Sequence, residues 1–227
     1  MRPIVLAQGE YYHVFNRGVE KRDIFSDTDD LNRFLEGVRA FNSLNPIGSL
    51  FEHRFQKDVQ LGSSTPKLVE VVCYCLNPNH FHLLLKQVSE KGIQKFMQKL
   101  GTGYTNYFNE KYKRSGGLFQ GRYKAVHTES NEQLLHTSVY VNLNNQLGSS
   151  TPKLSVSSWE EYVGSDLSHT KPMCEKEIIL GQFSDPKKYE SFARDALAMI
   201  IERKQQEKDV QWLLGSLTPK LEGNAVK

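Results

Sequence analysis

Hydrophobic and polar positions divide the chain into short segments of distinct period. Tyr11–Arg17 (YYHVFNR) is rich in aromatic and β-branched residues and is expected to be a strand. Asp27–Asp30 offers N-caps to a helix that carries Leu31, Phe34, Leu35, Val38 and Phe41 on one face. Residues 43–66 hold Pro, Gly and Ser and suggest a long loop. Leu68–Leu76 (LVEVVCYCL) and His80–Val88 (HFHLLLKQV) are two strands around an Asn77-Pro78-Asn79 turn, expected to pair as a hairpin. Ile93–Tyr112 has a helical pattern, with Gly101 and Gly103 as candidate interruptions. Arg122–Thr128 is a fourth strand, and Asn131–Asn144 (NEQLLHTSVYVNLN) a helix capped by Ser130 or Asn131.

The predicted order is β-α-β-β-α-β followed by a helix. It defines an α+β fold, the ferredoxin-like split βαβ arrangement with an antiparallel sheet. Residues 1–146 form the expected domain. Residues 147–227 form an extension with a short segment at Trp159–Val163, an apolar stripe of Phe192, Ala196, Met199 and Ile200, and the charged run ERKQQEKD.

The 227 residues suit one domain, or one domain with an appendage, with 24% charged and 38% hydrophobic positions, an ordinary globular profile. A net charge of +3 confines any nucleic-acid surface to a local patch. Cys73, Cys75 and Cys174 are too few for a disulfide framework and fit reduced thiols. The start, MRPIVLAQGEYY, lacks the long apolar run of a leader, and no stretch approaches the ~18 apolar residues of a membrane span. A cytoplasmic protein with no membrane partner is therefore expected.

The peptide LGSSTPKL stands at Leu61–Leu68 and again at Leu147–Leu154, and LGSLTPKL at Leu214–Leu221. The uneven spacing argues against a solenoid. In the first two copies the match starts one residue earlier, at Gln60 and Gln146. Codons exist for which QLGS is the reverse complement of TPKL around the central serine. The repeat is thus expected to be the translation of a DNA hairpin inserted in frame, lying in loops or in the tail, where insertions are tolerated. On that expectation removing Leu61–Leu68 matters less than changing His82.

His80 and His82 stand two apart on a strand, so both imidazoles share one face and make half of a metal site. Alone, H-x-H equally fits two hydrogen-bonded polar residues. Cys73 and Cys75 raise the idea of a zinc site, but their spacing fits no standard finger, and buried inert thiols are the simpler reading. Tyr140 and Asn144, at i and i+4 of the predicted helix, share a face. Lys111–Lys124 (KYKRSGGLFQGRYK) has five basic residues and no acid, interleaved with Tyr112, Phe119 and Tyr123. Such a tract suits phosphates and unpaired bases, with a solvated charge cluster as the alternative.

YYHVFNRGVEKRDIF (Tyr11–Phe25), LNPNHFHLLL (Leu76–Leu85), SGGLFQGRYKA (Ser115–Ala125) and YVNLN (Tyr140–Asn144) follow one another in an order that resembles the single-tyrosine HUH transposases (IS200-like), most of all the REP-associated tyrosine transposases. The resemblance covers roughly residues 8–145. It implies a strand-specific endonuclease and strand transferase acting on single-stranded or hairpin DNA through a 5′-phosphotyrosine. It implies Tyr140 as nucleophile, His80, His82 and Asn144 as ligands of Mg²⁺ or Mn²⁺, and a monomer or homodimer. Arg17, Lys111, Lys113, Arg114, Phe119, Gln120, Arg122, Tyr123 and Lys124 are the candidate DNA contacts. This chain departs from the family after Asn144, where Asn145-Gln146 runs into the second repeat instead of a proline and a basic stretch. The competing expectations are a domesticated hairpin-DNA-binding protein without cleavage and a metal-dependent hydrolase of another kind.

Overall fold

The computed structural model describes residues 5–45, 66–147, 154–164 and 172–217, with side chains to 207. Its elements run β1 (Tyr11–Arg17), a short 3₁₀ turn (Val19–Lys21), α1 (Thr28–Ala40), β2 (Val69–Asn77), β3 (His80–Gln87), α2 (Gly92–Lys111), β4 (Lys124–Thr128) and α3 (Asn131–Asn142). A second 3₁₀ turn (Asn144–Gln146), β5 (Val156–Ser157), α4 (Trp159–Val163), α5 (Glu177–Leu180) and α6 (Pro186–Leu217) complete it. The sheet has the order β4-β1-β3-β2-β5 with every pairing antiparallel. This is the ferredoxin-like α+β arrangement, with β5 added on the β2 edge.

Strand alternation sends successive side chains to opposite layers. Tyr12 and Val14 of β1 and Phe81, Leu83 and Leu85 of β3 face α1 and α2, where Phe25, Phe34, Ile93, Phe96 and Leu100 fill the first core. Each such fully buried large side chain contributes roughly 1.5–3 kcal/mol. The opposite face of the sheet carries His13, Phe15, His80, His82 and Leu84, and α3 lies across it. A bulge between Val71 and Cys73 breaks the β2–β3 register. It puts two consecutive residues, Val72 and Cys73, into the second core with Leu84, Val139, Trp159, Tyr162, Tyr189 and Ala193. The elements after residue 155 thus share a core with the sheet rather than standing beside it.

A polar chain fixes α3 in this layer. Asn142 Nδ2 donates to the Tyr189 hydroxyl at 3.1 Å, and Asn142 Oδ1 accepts from Ser158 Oγ at 2.6 Å. Ser158 Oγ in turn accepts from the Tyr74 backbone N–H at 2.8 Å. Helix α6, the N-cap of α4 and β2 therefore all hold the end of α3 that carries Tyr140.

Several expected boundaries shift. The strand expected from Arg122 begins at Lys124, because Gly121 at φ +84 ends a loop tied to β1 rather than opening the strand. Helix α2 runs unbroken through Gly101 and Gly103. Helix α3 stops at Asn142, and Asn144 stands in the following 3₁₀ turn, so Tyr140 and Asn144 do not share a helix face. Asparagine is a weak helix former with polar partners of its own, and Asn142 and Asn144 both reach across to other elements.

Of the repeat, residues 61–65, 148–153 and 218–221 lie outside the described residues. Its ends do not behave as passengers. Leu68 is fully buried in the first core, and Leu154 packs against the same core. In the third copy Leu214–Leu217 form the end of α6. Among the described residues no helix is long and apolar enough to cross a membrane.

Candidate metal and nucleophile site

The β2–β3 hairpin turns over Pro78 and Asn79, which places Asn77 directly opposite His80. Cys75 pairs with His82 in the same ladder. Arg17, at the end of β1, is the cross-strand neighbour of His80 on the other side. The site therefore sits where three strands end or begin, under the last turn of α3.

His80 Nε2 lies 3.2 Å from Asn144 Oδ1 and 3.1 Å from Asn77 Nδ2. Asn77 Nδ2 donates to Asn144 Oδ1 at 2.9 Å. His80 Nδ1 lies 2.6 Å from the Asn79 side-chain oxygen, an acceptor, so Nδ1 carries the proton and Nε2 presents a lone pair. His82 is 7% exposed, and its Nδ1 lies 2.8 Å from His13 Nε2. Among the described residues, Nε2 of His82 is left without a hydrogen bond. The His80 and His82 rings meet edge to face with centroids 5.1 Å apart.

Tyr140 joins this group from α3. Its ring stands at 90° to His82 and 72° to His13, with both centroid distances 5.6 Å. Lys204 of α6 places its ammonium 5.3 Å from the centre of the Tyr140 ring. The structure thus brings Tyr140, His80, His82 and Asn144 together, though Asn144 arrives by a 3₁₀ turn rather than along a helix.

Burial keeps the imidazoles neutral, the state that can bind a metal ion. It lowers His13 to about 4. It lowers His80 as well, partly opposed by Asn144 Oδ1, which can accept from the protonated ring, and assisted by the charges of Lys204 and Arg17. For His82 burial acts first, followed by His13, His80 and Lys204, and the pKa falls well below 6.5. Among the described residues no group of three His, Cys, Asp or Glu side chains could hold a metal. The donor set on offer is two neutral imidazoles and amide oxygen, which fits a divalent cation such as Mn²⁺ or Mg²⁺. Cys73 and Cys75 are fully buried, and burial pushes the Cys75 thiol up to about 12, so they stay protonated and inert.

The basic tract divides. Arg17 Nε donates to Gln120 Oε1, Gln120 N–H donates to the Arg17 carbonyl at 2.8 Å, and Phe119 bridges to Gly18. The tract is therefore stitched to the end of β1 beside His80. Arg17, Lys113, Gln120, Arg122 and Lys124 are exposed, and Tyr123 is half-buried. Phe119 is half-buried edge-on to Phe81 at 5.8 Å, and Arg114 lies over the Phe108 ring at 5.6 Å. Lys111 points elsewhere. Asp27 and Asp30 hold its ammonium at 2.7 and 2.8 Å, a contact between α1 and α2 that ties it into the fold.

Sequence reasoning passed over His13, Asn77 and Lys204. His13 carried a signal, since it alternates with Phe15 on a strand that must face either His80 and His82 or the opposite core. Asn77 looked like a turn residue. Lys204 stood in a charged run some sixty residues past the nucleophile candidate.

Residues 55–144 match the family model described as "Transposase IS200 like". The match spans the histidine, basic and tyrosine blocks, while Tyr11–Phe25 lies upstream of it. Over these residues the chain is similar to the IS200-like transposases, and the resemblance read from the sequence is borne out there. A solved structure of a REP-associated tyrosine transposase bound to a REP hairpin matches with a TM-score of 0.46 and 8% identity, over 77% of this chain and 93% of that chain. No curated protein matches the chain.

Proposed function

We propose that the chain is a divalent-metal-dependent transposase that nicks and rejoins one strand of DNA beside a hairpin, with Tyr140 as nucleophile. The observation that carries this reading is the convergence of Tyr140 on His80, His82 and Asn144 from three separate elements, inside a segment similar to the IS200-like transposases. A packing tyrosine would not need two neutral imidazoles and a buried amide beneath it.

A divalent ion held by His80, His82 and Asn144 would polarise the scissile phosphate and offset its charge. Tyr140 would attack phosphorus through its phenolic oxygen, losing its proton to solvent. A 5′-phosphotyrosine ester forms as the P–O3′ bond breaks, and the departing oxygen takes up a proton as a free 3′-OH. Lys204, beside the Tyr140 ring, adds a positive charge near the attacked phosphate. His13 orients His82 through its ring nitrogen and acts as a positioning residue. Arg17, Gln120, Arg122, Tyr123 and Lys124 offer a track for the DNA backbone and an unpaired base; Lys111 is left to the fold.

The test uses full-length protein and a single-stranded hairpin oligonucleotide labelled at one end, with its complement as control. Cleavage of one strand only, dependent on Mn²⁺ and lost in EDTA, is expected. Hairpin binding without cleavage would instead mark a domesticated binding protein, and cleavage that persists in EDTA would overturn the metal-dependent mechanism.

A further inference from the structure

We propose that Asn77 is an additional metal ligand, offering its side-chain oxygen to a divalent cation together with His80 Nε2 and Asn144 Oδ1. The proposal rests on the metal reading of this site and adds to its ligand set.

Asn77 is 2% exposed, and its side-chain oxygen is buried with no hydrogen-bond partner among the described residues. A buried amide oxygen left without a partner calls for an explanation, and an ion is one of the few available. The other end of the same amide sits at a corner of a nearly equilateral triangle. Asn77 Nδ2 is 2.9 Å from Asn144 Oδ1 and 3.1 Å from His80 Nε2, and those two atoms are 3.2 Å apart. Octahedral coordination at about 2.1 Å sets neighbouring ligand atoms about 3.0 Å apart. The triangle has the dimensions of one octahedral face.

Two of its corners are acceptors. His80 Nε2 bears a lone pair because Nδ1–H donates to the Asn79 side-chain oxygen. Asn144 offers an oxygen. Two facing lone pairs need a donor or a cation between them. With Nδ2 at the third corner the amide supplies the donor and strands its own oxygen. Amide nitrogen and oxygen exchange places on a half-turn about the side-chain bond. The exchange brings Oδ1 to the third corner, gives up the two hydrogen bonds that Nδ2 makes there, and leaves Nδ2 at the far end, where Oδ1 had no partner; a bound cation offsets that loss. Three lone-pair atoms then stand at the corners of that triangle. His13 does not compete for this place, because its Nε2 is spent on His82 Nδ1.

The experiment titrates the full chain with MnCl₂ and follows free Mn²⁺ by electron paramagnetic resonance. Wild type, His82→Ala, Asn77→Leu and Asn77→Asp are compared, with thermal melting to confirm folding. Asn77→Leu is expected to weaken binding about tenfold. Asn77→Asp is expected to tighten it about tenfold, since a charged ligand raises affinity. A purely structural Asn77 would not yield a tighter carboxylate variant, so the Asp variant decides even if the Leu variant fails to fold. Wild-type binding that is lost in His82→Ala but not tightened in Asn77→Asp overturns the role of Asn77 and leaves the site standing. No Mn²⁺ binding by wild type, or His82→Ala binding like wild type, overturns the metal reading and the Asn77 role with it.

Discussion

Nε2 of His80 lies 3.2 Å from Oδ1 of Asn144, although 64 positions separate the two residues. The contact depends on a departure from helical order. Had α3 continued past Asn142, Asn144 would follow Tyr140 along one helix face. The 3₁₀ turn swings it down to the hairpin instead, and its side chain is 8% exposed there. Tyr140 and the amide thus approach the same histidines from different directions.

His13 gives the first prediction. Its Nε2 holds His82 Nδ1 at 2.8 Å, and a metal-binding His82 must donate that proton to it. His13→Phe is expected to weaken Mn²⁺ binding about 10–100-fold, the usual range for losing such a partner. His13→Gln keeps an acceptor at similar reach and is expected to retain most of the affinity. Calorimetric titration of the two variants checks this; equal affinities would deny the orienting role.

Two glycines of α2 give opposite expectations. A Cβ at Gly101 meets nothing within 4 Å, so Gly101→Ala is expected to stabilise by about 0.5–1 kcal/mol. A Cβ at Gly103 comes within 2.7 Å of two Phe41 ring carbons, so Gly103→Ala is expected to destabilise by about 1–3 kcal/mol. Urea unfolding of both proteins reads the difference in sign.

Lys111 anchors the third. Asp30 is fully buried, and it accepts from Lys111, the Tyr112 hydroxyl and the Ser26 backbone N–H. Lys111→Met takes the ammonium away from that carboxylate and leaves it hydroxyl and backbone donors only. Breaking a fully buried pair costs about 3–5 kcal/mol, and the partial exposure of Lys111 reduces this to about 2–3 kcal/mol. The hydrogen bond from Lys111 holds Asp27 below its usual 3.8. Its stabilisation is therefore complete above that value and is lost as pH falls through the lower folded one. The wild-type advantage over Lys111→Met, measured by urea unfolding, is expected to shrink in that acid range, and hairpin binding near neutral pH is expected to survive the substitution.

Much of this was legible in the chain. Tyr11–Arg17 is the strand its pattern predicts, because its aromatic and β-branched composition is a local signal. His80 and His82 share a face because side chains alternate along a strand. What was not legible depends on contacts across the fold. The stop of α3 at Asn142 follows from Tyr189 and Ser158, residues far along the chain. The capture of Lys111 by Asp27 and Asp30 follows from the packing of α1 on α2, and nothing in KYKRSGG announces it. β5 is two residues long and exists through its pairing with Cys75 and Leu76.

The repeat supplies the fourth prediction. Leu68 closes the first copy, yet it is fully buried, and its carbonyl accepts from the backbone N–H groups of Val88 and Ser89, both at 3.3 Å. Leu68→Ala is expected to cost about 2–5 kcal/mol, in the range of other buried leucines. Thermal unfolding checks it. Removal of Leu61–Leu68 therefore takes away core as well as loop, and the terminal leucine separates the two effects.

The central claim concerns Tyr140. The full-length protein is incubated with Mn²⁺ and a single-stranded hairpin oligonucleotide, denatured, and analysed by mass spectrometry for protein joined to DNA. A covalent adduct mapping to Tyr140 in wild type, and absent from Tyr140→Phe, is the predicted result. An adduct that survives Tyr140→Phe, or cleavage by wild type with no adduct at all, would contradict it.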